Sequence, residues 1–148
     1  MKWLCFILFT LLSLIHIWNG KDFFKRKDWV LFFVKLISAI VFAYVLVFIL
    51  VGMSKYLHLM TRETARALTV TIPASLIVIL ISKFFVVMLN TIFDMVILFH
   101  ARYNTASNYS KILEIFNHYG TGFQLITKCL VSFGCILMFY GIWFAITI

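Results

Sequence analysis

TVTIPASLIVILISKFFVVMLNTIFDMVILF, residues 69–99, contains one Lys, one Asn, one Asp and one Pro. The rest is aliphatic, aromatic, sulfur-bearing or small hydroxyl, and a stretch so long and apolar reads as a membrane-spanning helix. At 1.5 Å rise per residue it measures roughly 46 Å, against a hydrocarbon core of about 30 Å. The helix must therefore tilt, or its last turns leave the bilayer and need cover from elsewhere in the chain or from another subunit. Pro73 falls near the start, where an N–H has no intrahelical partner to lose. Residues 61–68 are predicted to form a short preceding turn on the outer surface.

Three further apolar stretches, 3–18, 29–53 and 123–148, are separated from the first and from each other by charged segments. The composition agrees: 148 residues, 64% apolar and 12% charged, with a mean hydropathy of +1.08. A soluble domain is nearer 45–50% apolar and about 25% charged, so water-soluble folds are excluded, and disorder with them. Six Gly and one Pro exclude collagen-like chains. Residues 3–18 are short enough to suggest a signal peptide, but no small-x-small cleavage site follows Trp18, and they read as a span. Trp3, Trp18, Trp29 and Trp143 fall near span ends, as in an aromatic belt. Cys5, Cys129 and Cys135 lie in apolar stretches without paired spacing and read as small buried hydrophobes.

Between the last two spans, Tyr109, Ile112, Leu113, Phe116 and Tyr119 repeat at three and four positions, predicting a short amphipathic interfacial helix over 108–119 with Gly120 as its stop. Its apolar face lies on the membrane surface or docks on the projecting end of 69–99. The Asn108-Tyr109-Ser110 sequon carries no weight on a cytoplasmic helix. The expected fold is an all-α integral membrane protein of four transmembrane helices with this interfacial helix before the last.

Thirteen Lys and Arg against five Asp and Glu give a formal charge of +8, which in a membrane chain marks cytoplasmic loops and contact with anionic headgroups. The basic residues are scattered between spans, so a direct nucleic-acid partner is not expected. Lys35, Lys83 and Lys128 lie inside spans, at positions from which they can snorkel toward the side carrying Lys21, Lys25, Arg26, Lys27, Arg102 and Lys111. That side then holds nine Lys and Arg against four on the other. The positive-inside rule accordingly predicts both termini outside, periplasmic in a bacterial inner membrane, with loops 1 and 3 cytoplasmic.

Lys83, Asn90 and Asp94 are spaced by seven and four positions and share one helix face. The stripe reads as a snorkelling Lys followed by interface residues, as a polar contact inside the bundle or between subunits, or as an ion path. Thr127, Gly134, Gly141 and Ala145 form a small-residue stripe on the last span, and Ser38, Ala39 and Ala43 another on the second. Small residues let helices in lipid approach closely, so these faces pack against each other or against a second copy, the latter making a homo-oligomer.

No catalytic, cofactor or metal constellation is visible, and an enzyme is not expected. Asp22, Asp28, Glu63, Asp94 and Glu114 show no paired spacing, His16, His58, His100 and His118 stand singly, and no Walker, Cys-x-x-Cys, His-Glu-x-x-His or Gly-x-Ser-x-Gly motif occurs. Small multidrug exporters also have four short helices, but they need an acidic residue in the first span for proton exchange, and 3–18 has none. Two function classes remain. One is a membrane subunit acting by contact, engaging a partner in the bilayer or recruiting a soluble cytosolic protein to the basic rim, with Phe23 and Phe24 as apolar anchors. In size and composition it is similar to bacterial toxin-immunity, superinfection-exclusion and phage-defence membrane proteins, a likeness of class without a motif. The other is an oligomeric pore lined by the Lys83, Asn90 and Asp94 stripe.

Overall fold

The computed structural model describes residues 2–58, 60–103 and 106–145, with the side chains of 101, 106–113, 115–119 and 121 excepted. Among them there is no strand. Four helices follow in order: α1 (Lys2–Asn19), α2 (Arg26–Lys55), α3 (Arg62–Tyr103) and α4 (Ala106–Tyr140), the last closing in a π-helical turn, Gly141–Ala145. All four contain windows long and apolar enough to cross a membrane.

Local chemistry explains where the helices begin. Asp28, in the first turn of α2, accepts the Lys25 backbone N–H at 3.0 Å, so a carboxylate sits at the positive end of the helix dipole. Thr61 accepts the Thr64 N–H at 3.2 Å on its side-chain oxygen. That cap starts α3 seven residues before the predicted span, so 62–68 is the first part of the long helix and no separate turn precedes it. Pro73 is consequently an interior residue, and the carbonyl of Thr69 loses its usual donor. Nearby hydroxyls keep to the helix: Thr71 donates to the Ala67 carbonyl and Ser75 to the Thr71 carbonyl.

The predicted interfacial helix is likewise not separate. Residues 108–119 belong to α4, which runs through Gly120 and Gly122 into the last span. A glycine in a helix interior costs about 1 kcal/mol relative to Ala, a penalty small against a helix of this length. The side chains of the apolar positions on 108–119, like that of Lys111, lie outside the described residues.

α3 is the hub of the architecture. It packs against α1, α2 and α4, and α1 also packs on α4, whereas among the described residues α2 meets neither α1 nor α4. Ile17, Val86, Cys135, Phe139 and Trp143 form the buried core, where α1, α3 and α4 converge. Phe9 stacks on Phe139 and Trp143 at centroid distances of 6.4 and 5.8 Å. Cys135 is thus the buried hydrophobe expected, while Cys5 is half-buried and Cys129 faces outward.

Trp143 departs from the aromatic-belt expectation. The π turn brings its ring inside, where Nε1 donates to Ser75 Oγ at 3.1 Å, because a buried indole N–H needs an acceptor and α3 supplies one. The chain ends meet here too, with the Trp3 ring 4.5 Å from that of Phe144. α2 is fastened at its start by Phe32 and Trp29, whose rings lie 5.4 and 5.8 Å from Phe84.

Phe139→Ala should lower the unfolding free energy in detergent by about 3 kcal/mol, the lower end for deleting a buried aromatic. Leu130→Ala, on the outer face of α4, should change it far less. Equal thermal shifts for the two variants would contradict this core.

Candidate functional site

The segment joining α1 to α2 does not loop freely into solvent. Asp22 turns back against the bundle, and its two carboxylate oxygens accept from Lys83 Nζ at 3.2 Å and Lys128 Nζ at 2.7 Å. Lys83 also donates to the Ile17 carbonyl at 3.1 Å, one of the last-turn carbonyls of α1 left without an intrahelical partner. Asn90 Nδ2 reaches the Asp22 carbonyl at 3.4 Å, while its buried Oδ1 has no partner among the described residues. One carboxylate therefore joins α1, α3 and α4.

Burial gives this cluster its weight. The side chains of Lys83, Lys128 and Asp22 are 3%, 14% and 26% exposed. Two ammonium groups share one carboxylate, which leaves a formal excess of one positive charge in a largely desolvated place. Gly20 makes the approach possible: a Cβ there would stand 2.7 Å from Lys83 Cε and 2.8 Å from the His16 carbonyl oxygen.

Two further polar contacts tie α1 and α3 to α4. Trp18 Nε1 donates to Ser132 Oγ at 3.2 Å, and Ser82 Oγ lies 2.7 Å from Cys135 Sγ. Ser82 also donates to the Val78 carbonyl.

The residues singled out from sequence are distributed unevenly around this cluster. Lys83 and Asn90 meet at Asp22, whereas Asp94, one turn further on, is exposed. Lys83 and Lys128 turn inward to the carboxylate instead of extending to solvent, and Lys35 is exposed without a hydrogen-bond partner among the described residues. The small-residue stripes of α2 and α4 do not pack against each other, because α3 lies between those helices. Ser38 and Ala145 are exposed, Ala39 and Ala43 half-buried, and Thr127 buried. Gly134 and Gly141 have open space where a Cβ would stand.

In the basic rim, Lys21 pairs with Asp28 at 2.7 Å, and Lys25, Arg26, Lys27 and Arg102 are exposed. Phe23 is exposed as an anchor would be, but Phe24 turns inward against Trp29 and Phe32. His16 lines a cleft beside Lys35 and Lys83. Asp22 carries no local signal in the sequence, because its partners lie 61 and 106 positions along the chain. The signal available was charge balance: three Lys inside spans need a carboxylate, and the chain has five in all.

No protein-family model matches the chain, and no curated protein or solved structure matches it either.

Removing the carboxylate strands two buried cations. Asp22→Ala should therefore destabilise the protein in detergent by about 3 kcal/mol, the low end for breaking a buried pair, since the carboxylate is partly open. Adding Lys83→Met and Lys128→Met should recover most of that loss, a coupling readable by a mutant cycle. An Asp22→Ala protein as stable as the parent would show that the cluster contributes nothing.

Proposed function

We propose that the chain is a non-enzymatic membrane subunit that works by protein contact, of the toxin-immunity, superinfection-exclusion or phage-defence type. The observation carrying this reading is the corner where α2 begins. Lys25, Arg26 and Lys27 are exposed there, and none belongs to an ion pair among the described residues. They stand at a helix N-terminus, where the dipole disfavours cations, and Asp28 already stabilises that end. Three cations so placed do nothing for the helix. They suit an anionic protein surface beyond the chain, with Phe23 as an apolar contact.

Two features favour contacts within the bilayer as well. Among the described residues α2 packs on no helix but α3, and it presents Val34, Ile37, Val41 and Phe48 outward. Gly134 and Gly141 leave backbone open on α4, as a second copy of the chain would require.

Native mass determination of the gently purified protein tests the proposal. Charge reversal of Lys25, Arg26 and Lys27 together should release a co-purifying soluble protein while insertion and helix content stay unchanged. Retention of that protein by the triple variant would remove the basic corner from the proposal. A bare homo-oligomer that passes ions in planar bilayers would favour the pore.

Orientation belongs to the same proposal: both termini periplasmic in a bacterial inner membrane, and the α1–α2 and α3–α4 connections cytoplasmic, as the Lys and Arg distribution favours. A reporter active only after export should be active when fused after Ile148 and silent when inserted at residues 23–25. The opposite pattern would invert the assignment.

A further inference from the structure

α1 and α2 both lean on α3 but not on each other, so a cleft opens between them where the α1–α2 connection crosses. Its volume is about 240 Å³, and its lining combines the basic groups of His16, Lys21, Lys35 and Lys83 with apolar side chains that include Leu31 and Leu80.

The charges on these walls do not balance. The one carboxylate lining the cleft, Asp28, is engaged by Lys21 at 2.7 Å. Lys83 shares Asp22 with Lys128, so that group of three retains one positive charge. Lys35 adds a second and has neither a hydrogen bond nor an ion pair among the described residues. One unpaired ammonium, Lys35, and the Lys83 end of that positively charged cluster thus face one small cleft. In water they would be solvated, but with Trp29 at headgroup level Lys35, six positions and about 9 Å further along the helix axis, would lie below the aqueous phase. Leaving cations unpaired there is costly, and basic pockets between helices on the cytoplasmic side take anionic headgroups.

We propose that this cleft holds one anionic phospholipid from the leaflet on the side of the α1–α2 connection. Its headgroup phosphate lies between Lys35 and Lys83, and an acyl chain follows the groove between α1 and α2 over Leu80. The amphipathic lining favours a lipid over a soluble anion: ammonium groups and the apolar side chains of Leu31, Phe32 and Leu80 line the same cleft. Below roughly 300 Å³ the cleft is smaller than sites for drug-sized molecules, which suits a headgroup whose tail remains in the bilayer. The inference rests on insertion into a bilayer and not on the protein partner. A variant that loses its protein partner and keeps its lipid separates the two.

The full chain should be titrated with dioleoyl phosphatidylglycerol or dioleoyl phosphatidylcholine in detergent and read by native mass spectrometry. The first phosphatidylglycerol should bind about tenfold more tightly than phosphatidylcholine, a difference of about 1.4 kcal/mol. Lys35→Glu should abolish that preference and Lys35→Gln should reduce it, while Lys55→Glu, at the far end of α2, should leave it intact. Circular dichroism guards against misfolding, and the exposed position of Lys35 makes the Gln variant a mild one. Equal binding of the two lipids by the parent protein would overturn the proposal. So would equal losses from Lys35→Glu and Lys55→Glu, which indicate diffuse attraction. Displacement of phosphatidylglycerol by excess inorganic phosphate would assign the cleft to a soluble anion and overturn the lipid assignment.

Discussion

The Asp22 carboxylate, shared by Lys83 and Lys128, is the contact on which the arrangement of α1, α3 and α4 depends. In a bilayer, apolar side chains gain little by leaving lipid for one another, so shape and polar contacts select which helices associate. Here the strongest polar contact lies among three segments distant in sequence. It also draws the α1–α2 connection inward, so that Gly20 has room only for a hydrogen where Lys83 passes. The Trp18–Ser132, Ser82–Cys135 and Ser75–Trp143 contacts then align the same three helices. Helix identity and helix register are thereby set by groups that hydropathy treats as blemishes.

α2 stands apart from this scheme. Its contacts with α3 are chiefly aromatic, through Trp29, Phe32 and Phe84, and no buried charge ties it to the rest. Because it touches one helix, it leaves a cleft on its α1 side and a long apolar face outward. The protein contact and the lipid site proposed above both use this incompleteness. At the other extreme, α3 runs on for 13 residues beyond Asn90, roughly 20 Å, as one arm of a hairpin with the start of α4. The stacked rings of Phe93 and Phe123, 4.3 Å apart, join the two arms. The excess length read from 69–99 is thus accommodated partly by the chain's own next helix.

Much of the fold was legible because hydropathy and length suffice to recognise a span. The stretch 29–53 became α2 with small changes at its ends, and 3–18 became α1. Boundaries that rest on single residues were less legible. Pro73 and Gly120 are ordinary helix breakers in isolation, yet both sit inside helices, since the propensity of one residue is a weak constraint within a long helix. Trp143 lies at a span end like the other tryptophans, but Ser75 offers its indole N–H a buried acceptor and the ring goes inside. The Lys83 and Asn90 portion of the polar stripe was visible from periodicity, whereas its completion by Asp22 was not.

The sequence by itself determined four long apolar helices, a formal charge of +8, and lysines placed inside the apolar stretches with only five carboxylates in the chain. These are properties of local composition, and each follows from the transfer of single side chains between water and lipid. Only the tertiary structure decided which carboxylate answers which lysine and, among the described residues, that α2 touches no helix but α3 and that Lys35 has no counter-charge beside the cleft. Those outcomes depend on which helices become neighbours, and an ion pair across 61 or 106 positions leaves no periodic trace in the chain.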